Sequence, residues 1–318
     1  MESGNPVNYN SFQSTDVYQP AYDDVVQRTG CARSMDTLEC LRGVPFEHLN
    51  NLFNGSETYW QPVVDGDFIA RWTSSQLEEG AFVRVPVIAG ATTDEATLWS
   101  KKGLNTSADF RDYATNNTTL AYLPEQFGDD ILQAYPNEPD YWIPSVSEVP
   151  VDAVFPPGSG AQYRRNAAYE TDFSIVALRR GTCETWARWG VPAYSYRFNT
   201  RPAGIPWWMG VPHFSEVAFV FDNTDGLGYD AAHDSVNPFA GKPAAYTELA
   251  KLMSRTWASF IHDGVPEVDG AVWPKYSLEQ PQNLVWDANV TDLVYAEPDT
   301  FRAEGIRFIL DHSLRYKR

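Results

Sequence analysis

Two polar segments of the chain each follow a run of residues that is typical of a buried strand. The first, residues 92–96, contains the adjacent carboxylates Asp94 and Glu95, and the second ends at His213. A carboxylate that fixes the tautomer of an imidazole, together with the imidazole that moves the proton, can perform the acid–base steps of acyl transfer. The two segments are therefore the first candidates for chemistry.

Each of these residues also has an ordinary structural explanation. An adjacent Asp and Glu in a loop most often form a solvated helix cap, and a single histidine is most often structural or exposed. Only His213 follows a strand in a loop rich in Gly, Pro and Trp. The remaining histidines have polar or helical surroundings without a matching acid: His48, His233, His262 and His312.

The candidate residues need a sheet to bring them together. Residues 84–90, 192–199 and 283–286 are apolar, β-branched or aromatic runs, and each is predicted to be a buried strand. Helical segments separate them, which is typical of a mostly parallel sheet covered on both faces, an α/β fold. Functional loops then lie at the carboxyl ends of the strands, after Gly90 and after Asn199.

Helical spacing of apolar residues is clearest in four segments. We predict short helices over 36–42 and 46–53, a long amphipathic stretch within 161–189, and a helix over 246–260 that stops at Gly264. The proline-rich segments 144–157 and 202–212 are predicted to be surface loops.

The sequence contains no motif for a serine nucleophile. A strand-to-helix elbow requires Gly-x-Ser-x-Gly, and no serine of the chain satisfies it. Ser159 lies between two glycines without a preceding strand, and Ser215 follows His213 too closely to replace an elbow serine. Phosphate-binding, dinucleotide, zinc-protease and EF-hand motifs are also absent. We therefore predict neither a cofactor nor a metal.

The composition restricts the classes of partner. The chain has 24 basic and 42 acidic residues, a net charge of -18, which disfavours nucleic acid and anionic membranes. The longest apolar runs are too short to cross a bilayer, so no integral membrane segment is expected. Aromatic residues make up 14% of the chain and serve either the core or a pocket for apolar ligands.

Cysteines and sequons point to an oxidising compartment. The three cysteines are either buried thiols or, for Cys31 and Cys40, a small disulfide loop beside an unpaired Cys183. Asn-x-Ser/Thr sequons favour the disulfide and a secreted glycoprotein; they occur at Asn54, Asn105, Asn116, Asn117 and Asn289. The first residues lack a signal peptide, and we interpret this combination as a parent protein that is longer than this sequence.

Several stretches, in order along the chain, resemble the type-B carboxylesterase/lipase family, which includes the fungal lipases and the cholinesterases. The segment Met-Gly-Val-Pro-His at 209–213, with Glu216 behind it, is similar to the histidine motif of that family, and Asp94-Glu95 resembles its acid motif. The other matching stretches are 1–4, 31–42, 62–66, 85–90, 194–198, 219–221, Trp257, Phe260, Gly264 and 273–276.

The resemblance implies an α/β-hydrolase that cleaves a small apolar ester or lipid through a Ser-Glu-His triad. It implies Glu95 as the triad acid, His213 as the base and Cys31–Cys40 as a short disulfide. Ala96 replaces the glycine that usually follows the acid, which leaves the assignment in place. Acid precedes histidine, as the chain order of this fold requires.

The resemblance also places the nucleophile and the oxyanion hole upstream of Met1. Residues 1–318 are then expected to form one partial domain, the C-terminal part of the fold, without its N-terminal strands and nucleophile elbow. The alternative hypothesis is a non-catalytic, hydrolase-derived binding or interaction protein, or an inactive fragment. The oligomeric state is left open by the sequence.

Overall fold

The computed structural model describes residues 1–7, 13–55, 62–116, 123–230 and 235–314. The strands, in chain order, are β1 Gln13–Ser14, β2 Val63–Val64, β3 Val87–Thr92, β4 Ala193–Phe198, β5 Gln282–Trp286 and β6 Val294–Pro298. The helices are α1 Gln19–Arg28, α2 Thr37–Arg42, α3 Phe46–Asn54, α4 Thr73–Glu78, α5 Ser107–Asn116, α6 Gly128–Ala134, α7 Tyr163–Thr171, α8 Ala177–Arg188, α9 Val217–Val220, α10 Ala244–Asp263 and α11 Ala303–Asp311.

The central sheet contains β3, β4, β5 and β6 in that order. The pairs β3–β4 and β4–β5 are parallel, and β6 is antiparallel to β5. The first residues extend the sheet beyond β3, because Ser3 N–H donates to the carbonyl of Gly90 and Gly90 N–H donates to the carbonyl of Met1, each over 3.0 Å. The α/β prediction is confirmed, and all three predicted strands are present, with the first shifted to 87–92.

Aromatic side chains fill one face of this sheet. Tyr194, Tyr196 and Phe198 alternate along β4 and are buried in the largest apolar cluster, together with Leu249 and Met253 of α10. A Cβ atom at Gly90 would lie 2.0 Å from the ring of Tyr196, so glycine at this position lets the ring pack against β3.

Helix α10 covers this aromatic face and ends where the sequence predicts. Its C-terminal cap is Gly264 with φ of +71°, and the Gly264 N–H donates to the carbonyl of Phe260 over 2.8 Å. Glycine is favoured here because it adopts the left-handed conformation at little steric cost.

The long segment 161–189 differs from the predicted amphipathic helix. It consists of α7, a π-helical turn at Asp172–Val176 and α8, and every residue of α7 is buried. Its charged residues are ion-paired or hydrogen-bonded: Arg302 donates to both carboxylate oxygens of Asp172, each over 2.6 Å, and Arg165 of α7 donates to the carbonyl of Leu132 over 3.0 Å. A helix that is buried on all sides needs such partners for its charges.

Helices α1 to α3 form a satellite unit around a small apolar cluster. The predicted Cys31–Cys40 disulfide is present within this unit, with an S–S distance of 2.08 Å. Cys183 lies elsewhere and is a free, buried thiol. Helix α2 is capped by Asp36, whose carboxylate accepts from the N–H of Glu39 over 2.9 Å. Within the described part of the chain, no helix is long and apolar enough to cross a membrane.

Candidate functional site

Glu95 and His213 lie at the same edge of the sheet because their loops leave adjacent parallel strands. Strand β3 ends at Thr92 and is followed by the turn Glu95–Leu98, whereas β4 ends at Phe198 and leads through the turn Trp207–Met209 to His213. The carboxyl ends of parallel strands meet at one edge, which is where an open α/β sheet builds its sites.

The two side chains form a short hydrogen bond. Nδ1 of His213 lies 2.5 Å from Oε2 of Glu95, and the His213 backbone N–H donates to the Glu95 carbonyl over 3.2 Å. Glu95 is fully buried, while the imidazole side chain keeps 35% of its surface exposed. With Nδ1 occupied by the carboxylate, Nε2 is the ring nitrogen that is left for an external group.

The other carboxylate oxygen of Glu95 is held by two donors. Oε1 accepts the backbone N–H of Thr92 over 2.6 Å and the hydroxyl of Ser3 over 2.5 Å. Donors on both oxygens fix the orientation of the carboxylate and stabilise its charge without direct contact with water.

The environment of His213 favours its charged form. The hydrogen bond to Glu95 raises the pKa of His213 above its ordinary range, against the opposing effect of burial. The ring of Trp99 contacts the imidazole edge-on, with the ring centroids 5.4 Å apart. A base held by a buried acid and one aromatic wall can accept a proton in a defined orientation.

Two residues of this site were not proposed as site residues from the sequence. Ser3 comes from the opposite end of the chain, and Glu216, three positions after His213, is 1% exposed and lies 3.4 Å from the Ser3 hydroxyl. Burial, and then the neighbouring Glu95, raises the pKa of Glu216 to about 8. Glu216 was visible only as part of the family's histidine motif, and Ser3 only as part of the matching segment 1–4.

The ordinary structural explanation of Asp94 and Glu95, a solvated helix cap, does not apply, because both side chains are fully buried. Glu95 points to His213, and Asp94 points to the backbone of the histidine loop, where its Oδ2 accepts the N–H of Val211 over 2.8 Å.

The remaining candidates lie outside this arrangement. The hydroxyl groups of Ser159 and Ser215 donate to the local carbonyls of Pro156 and Pro212, over 2.8 and 2.5 Å. Of the other histidines, His48 and His262 are exposed, His312 bonds to the carbonyl of Phe308, and His233 lies outside the described residues. No cluster of His, Cys, Asp and Glu suited to a metal ion is present among the described residues.

The sheet order, the covering helices and the acid–histidine pair at the strand ends define an α/β-hydrolase fold. The chain belongs to the carboxylesterase family, whose family model matches residues 1–302. A crystal structure of Aspergillus niger EstA superimposes with a TM-score of 0.68 at 20% identity, covering 100% of this chain and 58% of that one.

Relatives of known name are lipases and esterases. Secreted lipase 4 of Gibberella zeae is 24% identical over 91% of this chain and 49% of its own length. Acetylcholinesterase of Bungarus fasciatus is 28% identical over 70% of this chain and 34% of its own length. Para-nitrobenzyl esterase of Bacillus subtilis is 24% identical over 80% and 44%. The chain thus spans half or less of the length of these relatives.

Proposed function

We propose that this chain supplies the acid and the general base of a serine carboxylic-ester hydrolase, with Glu95 and His213 in these roles. The observation that carries the proposal is the 2.5 Å hydrogen bond between a fully buried carboxylate and a partly exposed imidazole at the carboxyl ends of two parallel strands. Membership of the carboxylesterase family supports the same reaction class.

In the proposed reaction, Nε2 of His213 takes the proton of a serine hydroxyl while that oxygen attacks the ester carbonyl. The same nitrogen then delivers the proton to the departing alcohol. In the second half of the reaction, water takes the place of the serine hydroxyl and releases the carboxylic acid product. Glu95 orients the ring through Nδ1–H and stabilises the imidazolium. The reaction needs no cofactor.

The nucleophile is proposed to come from protein outside these 318 residues. No serine of the sequence lies in a Gly-x-Ser-x-Gly elbow, and the matched relatives are at least twice as long as the region they share with it. On this proposal residues 1–318 are one partial domain, and the oxyanion-hole donors belong to the same missing part.

Apolar side chains around the pair support a small apolar ester or a lipid as substrate. Leu98 and Phe214 are 55% and 57% exposed, and Trp99, 39% exposed, contacts the imidazole. Large exposed apolar residues next to a polar reactive group are typical of a site that binds an apolar ligand.

Three observations support the proposal that the longer protein is extracellular and glycosylated. Two matched relatives are named secreted lipases, from Gibberella zeae and Botryotinia fuckeliana. The Cys31–Cys40 disulfide suits an oxidising compartment. The sequon asparagines within the described residues are exposed, namely Asn54, Asn105, Asn116 and Asn289; Asn117 lies outside them.

The test begins with the coding sequence upstream of the Met1 codon. If it encodes a Gly-x-Ser-x-Gly elbow, the longer protein should hydrolyse p-nitrophenyl butyrate, and Glu95→Gln or His213→Ala should each lower kcat by about 10³-fold or more. His262→Ala is the matched control, because His262 is also paired with a neighbouring carboxylate, Asp263, over 2.7 Å, but at the exposed surface. An upstream sequence without an elbow would reject the proposal.

The missing elbow favours a second candidate, a hydrolase-derived binding or interaction protein without activity. A fluorophosphonate probe separates the two, since it reacts with an activated serine. Covalent labelling of any serine in the protein excludes the binding protein, whereas its absence in the longest natural form of the chain supports it.

A further inference from the structure

The acid loop and the histidine loop are joined by a second contact besides the Glu95–His213 pair. Asp94 N–H donates to the carbonyl of Val211 over 3.0 Å, and Val211 N–H donates back to Oδ2 of Asp94 over 2.8 Å. The hydroxyl of Thr97 lies 2.7 Å from the carbonyl of Met209. These contacts hold the backbone just before His213 against the backbone that carries Glu95.

The approach of the two loops is close enough to require glycine. Gly210 has φ of +60°, and a Cβ atom built there would lie 2.0 Å from Oδ2 of Asp94. The carboxyl group of Asp94 therefore lies directly against the histidine loop, at a position where any side chain would displace it.

Within the described residues, the carboxyl group of Asp94 has one hydrogen bond, the bond from the Val211 N–H. Its side chain is fully buried, and within the described residues Oδ1 has no hydrogen-bond partner. Burial raises the pKa of Asp94 well above its ordinary range, with nearby Glu148 as the next cause. Burial of a carboxyl group with a single hydrogen bond lowers the stability of the fold. A functional role of that hydrogen bond would explain why the carboxyl group is there.

We propose that Asp94 is a positioning residue, whose carboxyl oxygen anchors Val211 so that the imidazole of His213 stays within hydrogen-bonding distance of Glu95. The inference rests on the proposed function, since it concerns the same acid–base pair. Thr171 gives the other side of the acid loop a comparable support, because its hydroxyl accepts the N–H of Ala96 over 2.9 Å. Asp94, like Thr97, reaches across to the histidine loop, and of the two it is Asp94 that contacts Val211.

The test uses the whole 318-residue chain and two near-isosteric variants. Asp94→Asn keeps an oxygen that can accept the Val211 N–H, and Asp94→Leu fills the same space without an acceptor. Histidine labelled with ¹³C at Cε1 allows the pKa of His213 to be followed by NMR, and the downfield Nδ1–H resonance reports the bond to Glu95. A merely structural role would lower the unfolding midpoint of Asp94→Leu without moving either signal.

We expect the unsubstituted chain and Asp94→Asn to show a His213 pKa above 6.5 and a downfield Nδ1–H resonance. In Asp94→Leu the resonance should disappear and the pKa should return towards 6.5. An unchanged His213 in Asp94→Leu, or equal losses in both variants, would overturn the anchoring role.

Two further measurements keep the outcomes distinct. In the unchanged chain, the Val211 amide should exchange with deuterium as slowly as the amides of β4, and fast exchange would contradict the anchor even if Asp94→Leu does not fold. Glu95→Gln should remove the downfield resonance by itself. If Glu95→Gln leaves the His213 signals unchanged, it is the proposed acid–base pair that fails, whatever Asp94 does.

Discussion

The hydroxyl of Ser3 donates to Oε1 of Glu95 over 2.5 Å, and this bond joins the first residues of the chain to the acid 92 positions later. Ser3 occupies the edge beyond β3, where its backbone N–H pairs with Gly90. The acid is thus supported from the sheet edge on one side and faces the histidine on the other.

The Ser3→Ala variant should be less stable than the unsubstituted 318-residue chain. It leaves Oε1 with the Thr92 N–H as its remaining donor, and a hydrogen bond to a buried charged group contributes about 1.5–3 kcal/mol. We expect the free energy of unfolding, measured in urea, to fall by about that amount. Ser34→Ala is the control, because Ser34 is exposed and its hydroxyl donates to the local carbonyl of Asp36. Equal effects of the two variants would contradict the role of Ser3.

The strands could be predicted because their burial is continuous in sequence. The segments that became β3, β4 and β5 consist mostly of buried residues, which gives a local apolar signal. Strand β6 gave none: in Val294–Pro298 only the first residue is buried, as is typical of an edge strand with one solvated face.

The site could be predicted only in part, for a related reason. The positions after predicted strands indicated the pair Asp94-Glu95 and His213, and the family resemblance indicated Glu95 as the acid. The burial of Glu95, in contrast, depends on donors from Thr92 and from the distant Ser3. The same limit applies to Asp94, since its partner Val211 lies 117 positions away. Long-range satisfaction of buried polar groups has no local pattern in the sequence.

The pH dependence of stability should carry the signature of His213. Because Glu95 raises the pKa of His213 in the folded protein, protonation of the ring favours folding. This contribution is fully present below the unfolded pKa near 6.5 and is lost as the pH rises through the folded pKa. The free energy of unfolding should therefore exceed that of His213→Gln by more at pH 5.5 than at pH 9, and urea unfolding of the unsubstituted chain and the variant measures this difference. In a Glu95→Gln background the difference between the two pH values should shrink, and a constant advantage would refute the coupling.

Glu216 should change stability in the same direction as His213, but across a wider pH range that begins near 4.5. Its pKa of about 8 in the folded protein lies above the ordinary 4.5, so the unfolded chain releases this proton first and stability falls as the pH rises from 4.5 to 8. The neutral variant Glu216→Gln lacks this loss. It should be less stable than the unsubstituted chain at pH 4, by the cost of the new buried amide donors of about 1–3 kcal/mol, and should gain roughly 4 kcal/mol on that chain between pH 4 and pH 8. Parallel stability curves for the two proteins would show that Glu216 is not held in its neutral form.

The largest single loss of stability is expected at Asp299. Its carboxylate is 2% exposed and accepts two bonds from Arg179, over 2.6 and 2.8 Å, and one from Arg180 over 2.9 Å. Removing one partner of a buried ion pair leaves an uncompensated charge, so Asp299→Asn should lower the free energy of unfolding by about 3–5 kcal/mol. Glu297→Gln on β6 is a matched control, because Glu297 and Arg197 form an equally short pair whose side chains are each 26% exposed, and about 1 kcal/mol is expected there. Thermal and urea unfolding of both variants would measure the contrast, and a similar loss in each would show that burial does not set the strength of these pairs.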